Sequence, residues 1–64
     1  MFEEYQNKQV KIYASIGDRP FCFTGKLLEV DETHVKLLDK FGLEQLILIE
    51  SIEQMTPMES DNRA

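Results

Sequence analysis

The segment FTGKLLEVDETHVKLLD, residues 23–39, decides the fold, because it holds two strand patterns joined by a short acidic turn. Phe23, Gly25 and Leu27 alternate with residues of the opposite face, which is typical of a strand that buries one side. A glycine inside a strand indicates a sharp bend or a close approach of another backbone segment. The turn at residues 31–33 then reverses the chain into a second strand. This segment therefore predicts a bent β-hairpin.

The alternation slips by one position after Leu27, so that Glu29 takes the inward position and Val30 the outward one. A β-bulge near Leu28 and Glu29 would return Val30 to the core, because one extra residue reverses the parity of the strand. Bends and bulges of this kind let a small sheet curl toward a barrel. We therefore predict that this strand is both bent and bulged.

The residues before this segment predict a first strand and a turn. Apolar and polar residues alternate from Val10 to Ile16, which is the period of a half-buried strand. Gly and Pro in the turn at residues 17–20 separate this strand from the next, which is predicted to begin near Phe21.

The residues after the segment predict two more strands. A hairpin turn at residues 39–42 contains a glycine, which supplies a positive φ without steric cost. It leads to a fourth strand at residues 43–49 and a fifth strand, anchored by Ile52 and Met55, that ends at Pro57. Five short strands separated by turns predict a small, strongly bent all-β barrel.

The two ends of the chain complete a one-domain organisation. Phe2 and Tyr5 lie three residues apart, which predicts a short N-terminal helix over residues 1–7 whose aromatic side chains cover an open end of the barrel. The barrel itself is predicted to span residues 1–57. The polar sequence of residues 58–64 predicts a disordered tail.

The size of the chain favours an oligomer. A protein of 64 residues buries only about 60% of the surface that its unfolded form exposes. Folds of this size usually depend on disulfides, a metal ion or a partner subunit. Cys22 is the only cysteine and His34 the only histidine, so an intramolecular disulfide is excluded and metal ligands are scarce. Of the three ways to stabilise a small domain, association with another subunit remains.

The composition also bears on location and on partners. A single free thiol suits a reducing cytoplasm, and no stretch resembles a signal peptide or approaches the roughly 20 apolar residues of a membrane span. We therefore expect a cytoplasmic protein with no membrane partner. The net charge is −5, and residues 8–57 carry six basic and eight acidic residues, a balance of −2. Phosphate binding draws on clustered Lys and Arg, so this charge does not favour nucleic acid.

The fourth strand contains four large apolar residues in succession, LILI at residues 46–49. Both faces of such a strand should be covered, but a barrel this small can bury only one of them. Because an exposed, two-sided apolar strand promotes aggregation, we expect a second copy to cover it. Phe2 and Tyr5 of the same chain are the alternative cover. The predicted oligomer interface comprises Leu46, Ile47, Leu48, Ile49, Ile52 and Met55.

These patterns resemble the Sm-like (LSm/Hfq) family of small β-barrels. Its first signature runs aromatic, glycine, leucine, an apolar–aspartate pair and then a strand. A similar order is present here in Phe23, Gly25, Leu27, Val30, Asp31, Val35 and Leu37. Residues 46–57 resemble the second signature, whose strands close the barrel and pair with the neighbouring subunit. The chain is also similar to the C-terminal barrel of the ribosome maturation factor RimP.

The resemblance covers residues 1–57 and implies a five-stranded Sm-like or SH3-like barrel with a short N-terminal helix. It also implies where an RNA site would lie. Val35 stands where the family has an Asn that contacts a base, and Leu48 and Ile49 stand where it has Arg and Gly. The basic motif of the bacterial branch is missing too, so that only Asp31 matches the RNA-contacting residues of the family.

RNA could still bind an atypical surface. Lys11, Lys26 and Lys36 are predicted to point outward from three successive strands and could form a stripe, although nearby acidic residues would relieve its charge. Tyr13 is the best aromatic candidate, because single-strand binding combines stacking with a basic groove. The candidate RNA contacts are Lys11, Tyr13, Lys26, Asp31 and Lys36.

Catalysis and metal binding find little support in the sequence. Asp31, Glu32 and His34 are close together, but successive positions on one turn rarely converge on one ion. No base can be placed beside Cys22 or Ser15, and the core of so small a barrel is filled by its own side chains. We expect no enzyme activity, no cofactor and no small-molecule substrate.

The sequence therefore predicts a non-enzymatic, homo-oligomeric scaffold or interaction module that forms a ring and lacks most of the usual RNA-contacting residues. Head-to-tail strand pairing closes into a ring when the rotation between subunits permits. Two alternatives stay open: an RNA-binding ring that uses the atypical surface, and a monomeric, ribosome-associated barrel.

Overall fold

A computed structural model of the chain describes residues 2–58. It contains five β-strands in one antiparallel sheet and two three-residue 3-10 helices. The strands are β1 (Gln9–Ile16), β2 (Arg19–Val30), β3 (His34–Leu38), β4 (Glu44–Leu48) and β5 (Ile52–Pro57). The 3-10 helices are η1 (Glu3–Tyr5) and η2 (Ile49–Ser51). The predicted all-β class and the five strands are confirmed, and the N-terminal helix is only a single 3-10 turn.

The order of strands in the sheet is β4-β3-β2-β1-β5, so β4 and β5 form its two edges. The sheet is strongly curved, because η2 joins these edges with only three residues, Ile49–Ser51, which reach about 10 Å when extended. Among residues 2–58, however, the two edges do not pair with each other, and the sheet is not closed. Both edges therefore remain available for a further strand.

The turn between β1 and β2 is tighter than predicted. Gly17 and Asp18 both have positive φ, 58° and 65°, which is the geometry of a two-residue type I′ hairpin. Ile16 pairs with Arg19, and Ser15 pairs with Pro20, so β2 begins two residues before the predicted start at Phe21. The I′ turn matches the twist of the flanking strands and lets both strands pair up to the turn itself.

Gly25 is the position at which another backbone segment approaches β2, as its place in the sequence predicted. A Cβ there would fall inside van der Waals contact with the carbonyl oxygen of Leu38 and would lie 3.0 Å from its carbonyl carbon. The main chain at the end of β3 therefore crosses directly over Gly25, and only a residue without a side chain permits this crossing.

The predicted bulge in β2 is also confirmed. The register between β2 and β3 shifts between Leu27 and Glu29, which leaves Leu28 without a partner on β3. After the shift, Val30 pairs with Val35 and packs, partly buried, against the core. The bulge thus returns Val30 to the inner face.

The core lies on the concave face of the sheet and follows the predicted alternation. Its buried residues are Val10, Ile12, Leu27, Val35, Leu37, Ile47 and Met55. Phe2 and Tyr5 pack against this cluster. Ile16 differs from the prediction, because it is 45% exposed at the end of a hairpin that extends beyond the core.

The N-terminal turn is tied to β2 by main-chain hydrogen bonds. The N–H of Asn7 donates to the carbonyl oxygen of Leu27 at 2.6 Å, and the N–H of Leu27 donates to the carbonyl oxygen of Lys8 at 3.0 Å. At the other end, the N–H of Met58 donates to the carbonyl oxygen of Gln9 at 2.8 Å. Of the predicted disordered tail, residues 59–64 lie outside the described part of the chain.

Candidate functional site

The edge strand β4 presents apolar side chains on both of its faces. Ile47 points into the core and is 3% exposed, whereas Leu46 and Leu48 point to the outer face and are 66% and 45% exposed. On that face Leu46 lies opposite Lys36 and Leu48 lies opposite His34. The chain therefore buries one face of β4 and leaves two leucines of the other face uncovered.

The structure narrows the interface that the sequence predicted. Ile47 and Met55 belong to the core of their own chain and offer nothing to a partner. Ile49 and Ile52 are partly buried and also pack against the core. Of the six predicted residues, Leu46 and Leu48 are the two that lie clearly on the surface.

Phe2 and Tyr5 do not provide the alternative cover. Both side chains pack against the core cluster, and they leave Leu46 and Leu48 exposed.

Sequence reasoning missed the apolar loop that precedes β4. Phe41 is 75% exposed and Leu43 is 60% exposed, so the apolar surface extends from the loop onto the edge strand. The sequence marked this stretch as a turn because of its glycine, and turn residues are ordinarily read as solvated. An aromatic and a leucine within four residues of a turn were the available signal.

Asp39 holds this loop in shape. Its Oδ1 accepts hydrogen bonds from the N–H groups of Phe41 and Leu43, both at 2.9 Å, and its Oδ2 accepts one from Gln45 Nε2 at 3.2 Å. The bond from Leu43, followed by those from Gln45 and Phe41, lowers the pKa of the Asp39 carboxyl against the opposing effect of desolvation. The carboxylate thus fixes the apolar loop beside β4.

A cleft lies at the C-terminal end of β4. Its lining residues are Glu32, Thr33, Leu48, Ile49 and Glu50, and its volume is about 290 Å³. The main chain on its two sides is joined by a hydrogen bond of 2.8 Å from the N–H of Ile49 to the carbonyl oxygen of Thr33. The cleft combines an apolar pair with two acidic residues, and we refer to it below as the Leu48 cleft.

The register places the three predicted lysines on one diagonal of the outer face. Lys11 pairs with Thr24, two residues from Lys26, and Lys26 pairs with Leu38, two residues from Lys36.

This lysine diagonal is interrupted by acidic residues. Lys36 Nζ lies 3.8 Å from a carboxylate oxygen of Glu29 and 3.8 Å from one of Glu44. Lys11 Nζ lies 6.0 Å from the centre of the Tyr13 ring. The charge of Lys36 is thereby balanced, and the diagonal does not form a continuous basic surface.

Asp31 has a local role that its surroundings explain. Its Oδ1 accepts hydrogen bonds from the N–H of His34 at 2.7 Å and from the N–H of Thr33 at 2.8 Å. These bonds, with that from His34 the larger, lower the pKa of the Asp31 carboxyl. Val35, which occupies the position of a base-contacting Asn in the family, is buried in the core. The predicted RNA position thus holds a turn and a core residue.

The remaining polar residues do not assemble into a site. Within residues 2–58, no group of three His, Cys, Asp or Glu side chains is placed to hold a metal ion. His34 Nδ1 lies 2.8 Å from Thr33 Oγ1, and Cys22 is exposed as a free thiol. In the same part of the chain, no helix has the length and apolar character needed to cross a membrane.

Comparison with known proteins adds no family to this description. No protein-family model matches the chain, and no curated protein matches it. The likeness to Sm-like proteins therefore rests on the residues and on the strand order described above.

Proposed function

We propose that this protein is a non-enzymatic, homo-oligomeric scaffold or interaction module of the Sm-like barrel type. The observation that carries the proposal is the exposure of Leu46 and Leu48 on an edge strand. An edge strand offers unpaired main-chain groups, and apolar side chains on it make pairing with another chain favourable. Pairing there would remove two leucines from water and complete the main-chain hydrogen bonds of β4.

The two edges of the sheet suggest how copies associate. β4 and β5 are different surfaces of the same chain, so that β4 of one copy can pair with β5 of the next. Such a head-to-tail contact closes into a ring if the rotation between copies permits. This arrangement is the one that the resemblance to Sm-like proteins implies.

RNA binding is the less supported function. The lysine diagonal crosses the outer face, but Lys36 is held between Glu29 and Glu44, and the chain as a whole carries −5. A groove for single-stranded RNA needs a continuous basic surface with aromatic platforms. We therefore place self-association before RNA binding.

The test is the mass of the protein in solution. Size-exclusion chromatography with light scattering should give a multiple of 7.5 kDa for the wild type. Leu48→Asp should reduce this mass to that of one chain while its circular dichroism remains β-rich, because the side chain lies outside the core. Introducing a carboxylate into an apolar contact removes burial and adds a desolvation cost.

Tyr13→Asp is the matched control. Tyr13 is 39% exposed, close to the 45% of Leu48, but it lies on β1, which is paired on both sides. The control should keep the mass of the wild type. A wild-type protein that runs as a single chain, or a Leu48→Asp variant that stays assembled, would contradict the proposed function.

A further inference from the structure

The hairpin of β1 and β2 carries an apolar surface that the core does not use. Ile16 and Phe21 are 45% and 42% exposed, although their strand positions continue the inner face of the sheet. The ring of Phe21 stacks on Phe23, with centroids 6.1 Å apart and planes at 18°. Arg19 pairs with Ile16 and shares that face. We call Ile16, Arg19 and Phe21 the arm tip.

The arm tip and the Leu48 cleft have complementary chemistry. The cleft combines the apolar side chains of Leu48 and Ile49 with the carboxylates of Glu32 and Glu50. The arm tip combines two apolar side chains with the guanidinium of Arg19; the carboxylate of Asp18 lies in the turn next to it. Aromatic and arginine side chains are the groups that most often anchor protein interfaces.

The size of the cleft also favours a side chain as its occupant. Its volume of about 290 Å³ lies at the lower limit of small-molecule sites, which measure about 300–1,000 Å³. A protruding apolar side chain of another protein needs less room than a cofactor. The cleft is therefore better suited to an anchoring residue than to a small ligand.

The strand register connects the two surfaces across a junction between copies. If β4 pairs antiparallel with β5 of the next copy, Leu48 at the end of β4 meets Ile52 at the start of that β5. Ile52 pairs with Ala14, and Ala14 lies two residues before Ile16. The arm of the next copy would then lie beside the Leu48 cleft.

We propose that the arm tip of a second copy of this chain occupies the Leu48 cleft. The inference rests on the proposed self-association and adds the surface that covers the outer face of β4. Phe21 and Ile16 contact Leu48 and Ile49, and Arg19 faces Glu32 and Glu50. The contact joins two different surfaces, so each copy uses its arm on one side and its cleft on the other.

The experiment uses two variants that each remove one surface. Phe21→Ser removes the arm contact and Leu48→Asp removes the cleft contact. Each variant alone should show at least tenfold weaker self-association, which corresponds to the loss of one anchoring contact. Mixed in equal amounts, they should form a 1:1 heterodimer, because the intact arm of Leu48→Asp fits the intact cleft of Phe21→Ser.

Phe41→Ser is the matched control for Phe21→Ser. Phe41 is more exposed, at 75%, but it lies in the loop before β4 and outside the proposed contact. It should associate as the wild type does. If Phe21→Ser loses its β-rich circular dichroism, Arg19→Glu replaces it: this variant should weaken association, and Arg19→Glu combined with Glu50→Arg should restore it.

The outcomes separate this inference from the proposed function. If Leu48→Asp is monomeric but Phe21→Ser and Arg19→Glu assemble like the wild type, the arm contact is wrong and self-association through β4 stands. A 1:1 mixture that stays monomeric would also overturn the arm contact. If Leu48→Asp itself remains assembled, the proposed function fails.

Discussion

The two faces of the curved sheet differ in how completely the chain covers them. On the inner face, Val10, Leu27 and Leu37 have no exposed surface at all. On the outer face, Leu46 and Leu48 are 66% and 45% exposed, although they stand next to the buried Ile47 on the same strand. Apolar character alone therefore does not predict burial in this protein. The side of the sheet does, because 64 residues form one layer that curls around its own inner face.

This difference implies separate physical roles for neighbouring residues. Inner residues stabilise the fold of one chain, whereas the outer leucines contribute only when another surface covers them. Substitutions on the two faces should consequently change different measured quantities.

The inner face should be broken most severely by Gly25→Ala. The added methyl group would collide with the main chain at Leu38, and a carbonyl group cannot move aside as a flexible side chain does. We expect a loss of about 3 kcal/mol in the free energy of unfolding, a large part of the stability of so small a domain. Urea denaturation followed by circular dichroism measures it.

Gly42→Ala is the matched control for Gly25→Ala. No atom lies within 4 Å of the position of its added Cβ, and only its φ of 81° disfavours a side chain. The control should cost about 1–2 kcal/mol. An equal or smaller loss for Gly25→Ala would show that the crossing at Leu38 is not close.

A pair of substitutions on β4 sharpens the comparison between the faces. Ile47→Ala should lower the free energy of unfolding by about 2–3 kcal/mol, because it leaves a cavity in the core. Leu46→Ala should change it by less than about 0.5 kcal/mol, since its side chain is already in water. Both should be measured in the Leu48→Asp background, where association does not contribute. Equal losses at the two positions would contradict the assignment of the faces.

Acid should produce the smallest effect, and it acts on the turns rather than on either face. Hydrogen bonds lower the pKa of the Asp39 and Asp31 carboxyls in the folded chain, while an unfolded Asp titrates near about 3.9. Their contribution to stability is therefore complete above that pH and is lost as the pH falls through the folded pKa values. Thermal unfolding between pH 6 and pH 2 should show this decline.

The double variant Asp31→Asn with Asp39→Asn tests the source of the acid effect. Asn cannot titrate, so the decline of the melting temperature below pH 4 should be shallower than in the wild type. An unchanged slope would mean that other carboxyl groups cause the acid sensitivity.

Much of the fold could be predicted because each signal was local. The period of two set the inner positions of β1 and β3, the parity slip revealed the bulge at Leu28, and Gly25 marked a backbone crossing. The start of β2 was predicted two residues late, because a proline in strand position looks like part of a turn. The two-residue I′ turn was not anticipated, since it depends on the twist of both strands together.

The candidate surfaces were predictable only in part. The run of four apolar residues correctly drew attention to β4, but it could not tell which of them the core would take. The Leu48 cleft and the arm tip were not foreseen. Both are formed by residues that are distant in sequence, and nothing local marks them.

The sequence by itself determined the all-β class, the alternation that builds the core and the close approach at Gly25, because these follow from the chemistry of neighbouring residues. Only the tertiary structure decided that Ile47 is buried and Leu48 is not, that Lys36 is held between Glu29 and Glu44, and that the sheet has two free edges. Those features depend on strand order and register. They arise from contacts between segments that no local pattern of residues specifies.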